Sequence, residues 1–433
     1  MASTSKATRR AYVWVWLPGR TEPVLAGALG PAPRPPVRSR SSQGGGPFRF
    51  AYSTGYLARP DAVSLYAPEI PLVPGWQVPS DDRSLAGCLR DGSPDSWGQR
   101  VITDRLFGVR GPAAADVQID GLTYLLESGS NRIGALDFQA SNTEYVPRRT
   151  SATLDELHRA AKAFEDGTLS ADLAVALVNG TAVGGARPKV IIAGDDGREY
   201  IAKLSMSSDV YPVVKAEAVA MSVAARVGIP VPRTEVVQSL GRDVLLVERF
   251  DRSGDGTRTM VVSALTLLGY SDFLGARWSS YPEFLDKLHQ LAAPGSGGLG
   301  RALLERIILN ILVGNTDDHA RNHAVLWDGH HAELAPAYDV CPQLRSGREA
   351  NQAMDIGRAP SADRQGPRAS NRSTVVAAAA DYGVTSREAA EMFDRQVDII
   401  RGHWRDAADD AQLTQEQAAR LFGVQILNAY ALT

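Results

Sequence analysis

Residues 301–313 (RALLERIILNILV) are apolar on nearly every side when wound as a helix. A surface helix keeps one polar face, so this one must be surrounded by the rest of its domain. It halts at Gly314, and the chain turns at once into the polar run Asn315-Thr316-Asp317-Asp318-His319-Ala320-Arg321-Asn322-His323. A buried rod that ends in a loop dense with carboxylates, amides and imidazoles is a rigid base for a chemical site. A chain that carries it needs a large core. The 433 residues, 44% hydrophobic and 22% charged, can supply one and predict two or three domains.

The patterns on either side differ. Upstream, Ala11–Leu17 alternates like a strand, and 30–46 (GPAPRPPVRSRSSQGGG) has no periodicity and reads as a mobile loop. Short strands and turns are expected through 48–147, with an apolar patch near Leu122–Leu126 and a strand at Ile133–Phe138. A capping box, Thr153 to Glu156, opens a helix that stops near Gly167, and a second helix is expected at 169–179. Next come the strand KVIIA, a turn at Gly194–Gly197 and the strand EYIAKL, then an amphipathic helix over 213–227 and strands TEVVQ and DVLLVERF. Beyond the turn at Ser253–Thr257 the pattern becomes helical, with further capping boxes at Thr385…Glu388 and Thr414…Gln417. The expected fold class is α+β. A small α+β domain (1–147) precedes a domain (148–433) with a β-rich lobe (148–250) and a helical lobe (251–433) joined near Phe250.

Composition narrows the function. Net charge is −3, so there is no global nucleic-acid footprint. Two cysteines, Cys88 and Cys341, exclude a disulfide framework and suit a reducing cytoplasm. No apolar run approaches the roughly 18 residues of a membrane span, and the short alternating run after MASTSKATRR reads as a strand, not a signal peptide. Of 46 basic residues only six are Lys, leaving 40 Arg. In a chain that uses Arg by default, a Lys is the better candidate for a required point charge.

Two stretches carry chemistry. Asp317, Asn322 five residues later, a short hairpin (AVLW, DGHH, AELAP) and then Ala337-Tyr338-Asp339 form the layout of a protein-kinase catalytic centre. In that layout the first Asp orients the attacking hydroxyl, and the Asn and second Asp offer oxygen ligands to Mg²⁺. Upstream, the Gly-rich run Gly184-Gly185-Ala186-Arg187-Pro188-Lys189 precedes a hairpin. There a permissive backbone could approach phosphates closely. Lys203 on the following strand and Glu217 on the next helix match the Lys–Glu pair that holds nucleotide phosphates. The strand Leu245–Phe250 would lead to the adenine. The rival for the downstream stretch is a zinc or two-metal hydrolase site built from Asp317, His319, His323 and Asp339. Asp318 reads as structural, and His330 and His331 as exposed hairpin-tip residues.

GGARPK, AKLS, VERFDR, GNTDDHARNH and LAPAYD, in this order, resemble the HipA-type serine/threonine kinase family. GPFRFAY at 46–52, PEIPL, DSWGQR at 95–100 and RIGALDF at 132–138 are similar to that family's N-terminal domain. The resemblance implies a kinase-like bilobal domain that transfers the γ-phosphoryl group of ATP, with Mg²⁺, to a Ser or Thr of a protein. Carried over by position, it implies that Asp317 is the catalytic base, that Asn322 and Asp339 are metal ligands and that Lys203 contacts phosphate. It also implies a phosphate loop at Val183, Gly184, Gly185, Ala186, Arg187 and Lys189 and a nucleotide hinge at Glu248, Arg249 and Phe250. His319, bracing the catalytic loop, and Tyr338, beside Asp339, are counted with the nucleotide site. The family's members are growth-arresting toxins partnered by small helix-turn-helix antitoxins, with aminoacyl-tRNA synthetases among their substrates, so any contact with DNA is expected through such a partner. Many relatives silence themselves by phosphorylating a Ser in the phosphate loop. Here that region reads Thr181-Ala182-Val183, which predicts weak loop autophosphorylation. Two other rivals are a nucleotide-binding co-repressor and a small-molecule phosphotransferase. The intact Asp317, Asn322, Asp339 and Lys203 oppose the first, and the family-like N-terminal domain opposes the second.

Overall fold

The computed structural model describes residues 10–33, 47–79, 83–110, 117, 119–180, 187–345, 347–361 and 364–433. By its packing the chain divides into two units. One comprises Met1–Ala202, Asp251–Val262 and Leu326–His330; the other comprises Lys203–Phe250, Ser263–Val325 and His331–Thr433.

In the first unit, alternation at β1 (Ala11–Val15) places Val13 and Val15 in the core, where β1 pairs antiparallel with β2 (Val24–Pro31) on one side and β4 (Leu136–Gln139) on the other. β2 pairs with β3 (Phe48–Tyr52), which gives the order β3-β2-β1-β4. The register sets Gly27 opposite Tyr52, and a Cβ on Gly27 would lie 2.1 Å from the Ala51 carbonyl oxygen, so only glycine fits. Gly30 and Pro31, expected in a loop, belong to β2 because they pair with Arg49 and Phe48, whereas 34–46 lie outside the described residues.

Helices α1 (Thr54–Leu57), α2 (Gly87–Arg90), α3 (Ser96–Phe107) and α4 (Gly121–Glu127) follow, in a region where short strands and turns were expected. α3 is started by the Asp95 carboxylate, which accepts from the Gly98 N–H at 2.6 Å, and it is ended by Gly108 at φ +63°. Burial of the Asp95 carboxyl outweighs the opposing influence of Lys189 and pushes its pKa up to about 6. α5 (Leu154–Glu165) begins with the expected Thr153–Glu156 capping box, and α6 (Ala171–Gly180) packs on it. β5 (Lys189–Ala193) and β6 (Glu199–Leu204) follow, the latter running into the second unit at Lys203.

The second unit is dominated by helices. α7 (Val213–Arg226) was expected to be amphipathic, but ten of its fourteen residues are buried because it packs on the next two strands and on α13 (Ser386–Asp410). Those strands, β7 (Thr234–Ser239) and β8 (Arg242–Glu248), form a hairpin turned by Leu240 at φ +49° and Gly241 at φ +73°. Beyond β9 (Met260–Ser263), most of which belongs to the first unit, come α8 (Ala264–Leu267), α9 (Asp272–Trp278), α10 (Tyr281–Leu291) and α11 (Leu299–Val313). α11, expected from its apolar run, is buried along most of its length. Then come β10 (Ala324–Trp327), β11 (Ala332–Leu334), α12 (Arg372–Ala377), α13 and α14 (Gln415–Leu421). Both C-terminal capping boxes are present as expected. Among the described residues no helix is long and apolar enough to cross a membrane.

Candidate active site

Within the second unit, three ionisable side chains distant in sequence meet. Lys203, at the end of β6, donates from Nζ to Glu217 Oε1 at 2.5 Å and also to Asp339 Oδ1. Glu217 is there because α7 buries the face that carries it; its side chain is only 6% exposed and that of Lys203 16%. Burial alone would lower the lysine pKa. The Asp339 and Glu217 carboxylates overcome that effect and hold the ammonium well above its ordinary value.

Asp317 lies on the loop that leaves α11. Gly314 caps the helix at φ +72°, a conformation suited to glycine, and the loop then folds on itself. The His319 N–H donates to the Asp317 carbonyl at 2.8 Å and the Asn322 N–H to the His319 carbonyl at 2.8 Å. Asn322 Nδ2 reaches back to the Asp317 carbonyl at 3.1 Å, which leaves Oδ1 as the oxygen that amide offers a ligand. Residue 317 is exposed overall, yet partial desolvation raises its pKa. The neighbouring His319 opposes that rise, and the Asp339 and Asp318 carboxylates add to it.

Asp318, in contrast, is buried. Its Oδ2 accepts from Tyr281 Oη at 2.5 Å, Asn310 Nδ2 at 2.7 Å and His323 Nε2 at 2.9 Å. The rival set of Asp317, His319, His323 and Asp339 does not assemble into a metal site. Among the described residues no group of three or more His, Cys, Asp or Glu side chains is placed to hold a metal ion. The pair Asn322 and Asp339 supplies hard oxygen donors, which fits Mg²⁺ better than zinc.

The segment that returns Asp339 is held at several points. Tyr338 Oη donates to the Arg321 carbonyl at 2.8 Å, the Ala337 N–H to the Pro230 carbonyl at 2.8 Å, and the Gln343 N–H to the Gly314 carbonyl at 2.9 Å. Asp339 itself has φ +58°. The Tyr338 ring lies 5.6 Å from that of Phe250, so the end of the expected hinge and the expected metal-binding segment adjoin. Arg249 is buried, and the Glu248 N–H donates to the Arg233 carbonyl at 2.9 Å. Arg187, exposed, and Lys189, buried, belong to the first unit, while Val183, Gly184, Gly185 and Ala186, with Thr181 and Ala182, lie outside the described residues. His330 and His331 are exposed as expected.

Sequence reasoning took α11 as apolar on nearly every side and missed that two of its polar side chains, Arg306 and Asn310, are buried behind this loop. A polar pair four residues apart in an apolar run was the available signal. Burial pulls the Arg306 pKa down to about 10, with the Asp318 carboxylate opposing that fall.

The fold is shared with a known class. Residues 181–404, 224 of the 433, match the HipA-like C-terminal domain, and the chain belongs to that family. Among solved structures it is similar to a chain of the Shewanella oneidensis MR-1 toxin–antitoxin complex of HipA, HipB and operator DNA. That likeness has a TM-score of 0.58 at 17% identity over 95% of each chain, and it shows the HipA fold. A Sinorhizobium fredii protein, Y4mE, whose name marks it as a candidate kinase, is 28% identical over 151 residues. That match covers 33% of this chain, and the chain spans only 36% of that relative's length.

Proposed function

We propose that this chain is an ATP-dependent serine/threonine protein kinase, organised with domain boundaries near residues 147 and 250, that acts as a growth-arresting toxin. The observation that carries the reading is Lys203 bridging Glu217 and Asp339 in the same unit as the Asp317–Asn322 loop. A lysine shared by a helix carboxylate and a metal-binding carboxylate is a clamp for the phosphates of a nucleotide. Asn322 Oδ1 and Asp339 would hold Mg²⁺, which when bound supplies neutralisation of the phosphate charge. Glu217 keeps the ammonium of Lys203 oriented. Asp317 orients the acceptor hydroxyl and takes its proton, and the partial desolvation that raises its pKa makes it a better base for that task. The Glu248–Phe250 strand end and Tyr338 would border the base. A protein substrate, such as an aminoacyl-tRNA synthetase, and a small helix-turn-helix antitoxin belong to the proposal, supported by membership of the HipA-like family and by the HipB complex of the Shewanella relative.

The test is transfer of label from γ-phosphate-labelled ATP, together with phosphoproteomics of cells expressing the wild type or Asp317→Ala. New phosphoserine or phosphothreonine sites are expected with the wild type alone. Equal labelling by a folded Asp317→Ala protein would overturn the assignment.

A further inference from the structure

Arg306 and Asn310 are 4% and 3% exposed on a helix whose other buried residues are apolar or glycine. Four residues apart, they lie on one face about one helical turn from each other. They hold different things. Asn310 Nδ2 donates to Asp318 Oδ2 at 2.7 Å, while its Oδ1 accepts from Asn315 Nδ2 at 2.9 Å, so it grips the loop on both sides of Asp317. Arg306 Nη2 donates at 2.6 Å to the carbonyl of Ala335, four residues before Asp339 in the returning segment. Tyr281 and His323 complete the shell of Asp318, which makes the carboxylate next to Asp317 the junction of α10, α11 and the end of the loop.

Packing does not account for this choice of residues. A buried guanidinium carries a desolvation cost that an apolar side chain of similar volume avoids, and such replacements are often neutral or stabilising. The polar pair therefore has another use. In a reaction governed by placement, a displacement of about 1 Å can cost about a hundredfold in rate.

The geometry points to Arg306 and Asn310 as positioning residues that fix the separation of the Asp317 and Asp339 carboxylates, one holding each arm of the site. The inference rests on the phosphotransfer reading above. It requires that the two residues affect different quantities. Asn310 acts on the arm that orients the acceptor hydroxyl, and so on turnover. Arg306 acts on the arm that meets the metal–nucleotide complex, and so on affinity.

The experiment uses the full chain and measures kcat for phosphoryl transfer, the equilibrium Kd for Mg·ATP by calorimetry, and the thermal midpoint. Asn310→Leu is expected to lower kcat at least about tenfold with Kd within about threefold of wild type, and Arg306→Met to raise Kd at least about tenfold. Arg306→Lys and Asn310→Ser, which keep polar groups of different reach, decide the matter if the first pair fails to fold. If kcat and Kd move together in both variants in step with lost thermal stability, or neither moves while the wild type is active, the two residues are ordinary packing and the inference is overturned. A wild type that binds Mg·ATP and transfers nothing overturns the phosphotransfer reading, and the inference with it.

Discussion

The most informative perturbation is Glu217→Gln, which keeps the volume of a side chain only 6% exposed and removes its charge. Lys203 is shared between two carboxylates, and its bond to Glu217 is 2.5 Å long. A hydrogen bond with an ionised partner contributes roughly 1.5–3 kcal/mol; glutamine leaves this bond assisted by the ammonium alone and removes the attraction of the second charge, so only part of that range is lost. Glutamine should therefore weaken this arm by about 1–1.5 kcal/mol. The ammonium then shifts its interaction toward Asp339, the side chain proposed to meet a metal–nucleotide complex. Kd for Mg·ATP should rise roughly five- to tenfold, since about 1.4 kcal/mol is a factor of ten. Calorimetric titration of Mg·ATP into both proteins reads this directly. The pH control follows from the direction of the lysine shift. Its folded pKa is raised, so the stabilisation is fully present below the ordinary lysine value of about 10.4 and is lost only as pH climbs through the folded value. The difference between the two proteins should accordingly be flat across the neutral range. A folded Glu217→Gln protein with unchanged affinity would refute the argument, because Lys203 would then be held by Asp339 alone.

Two further outcomes test the scaffold. Asp95 has a pKa of about 6 against an ordinary 3.8, chiefly through burial, so stability falls as pH rises from about 4 to about 6. Asp95→Asn keeps the helix cap and should raise stability at neutral pH by about 1–2 kcal/mol, after some loss of support for Lys189, with no gain below about pH 4. Denaturant melts at the two pH values check this, and an equal gain at both would contradict the assigned cause. Gly314→Ala places a Cβ at φ +72° and 2.6 Å from the Gln425 carbonyl oxygen, so it should cost at least about 1–2 kcal/mol in stability and lower turnover by displacing the start of the Asp317 loop. A thermal midpoint and turnover equal to wild type would show that the loop absorbs the change.

Local signals in the sequence proved dependable where a few neighbouring residues decide the outcome. The Thr153, Thr385 and Thr414 capping boxes each complete their own hydrogen bonds, and α11 is buried as its composition requires. α3 escaped because its apolar residues show little helical periodicity and it starts with a single Asp95 cap and no reciprocal partner. Lys203 and Asp339 are 136 positions apart, and no periodicity links them. Each was legible separately, from its place in the kinase-like layout, but their direct contact was not. The Asp318 junction was harder still. Its partners Tyr281, Asn310 and His323 lie on three elements, and each alone reads as an ordinary core or cap residue.

The backbone of Asp339 has a consequence for the choice of inactive variants. At φ +58° it occupies a region that side chains other than glycine enter at a cost of roughly 1–2 kcal/mol, with Asp and Asn the best tolerated. Asp339→Ala removes the carboxylate and also favours a rearrangement of the main chain around Tyr338, so its defects would mix two causes. Asp339→Asn keeps the left-handed turn and discards only the charge. It is the cleaner reagent for capturing a substrate or partner on an otherwise native surface.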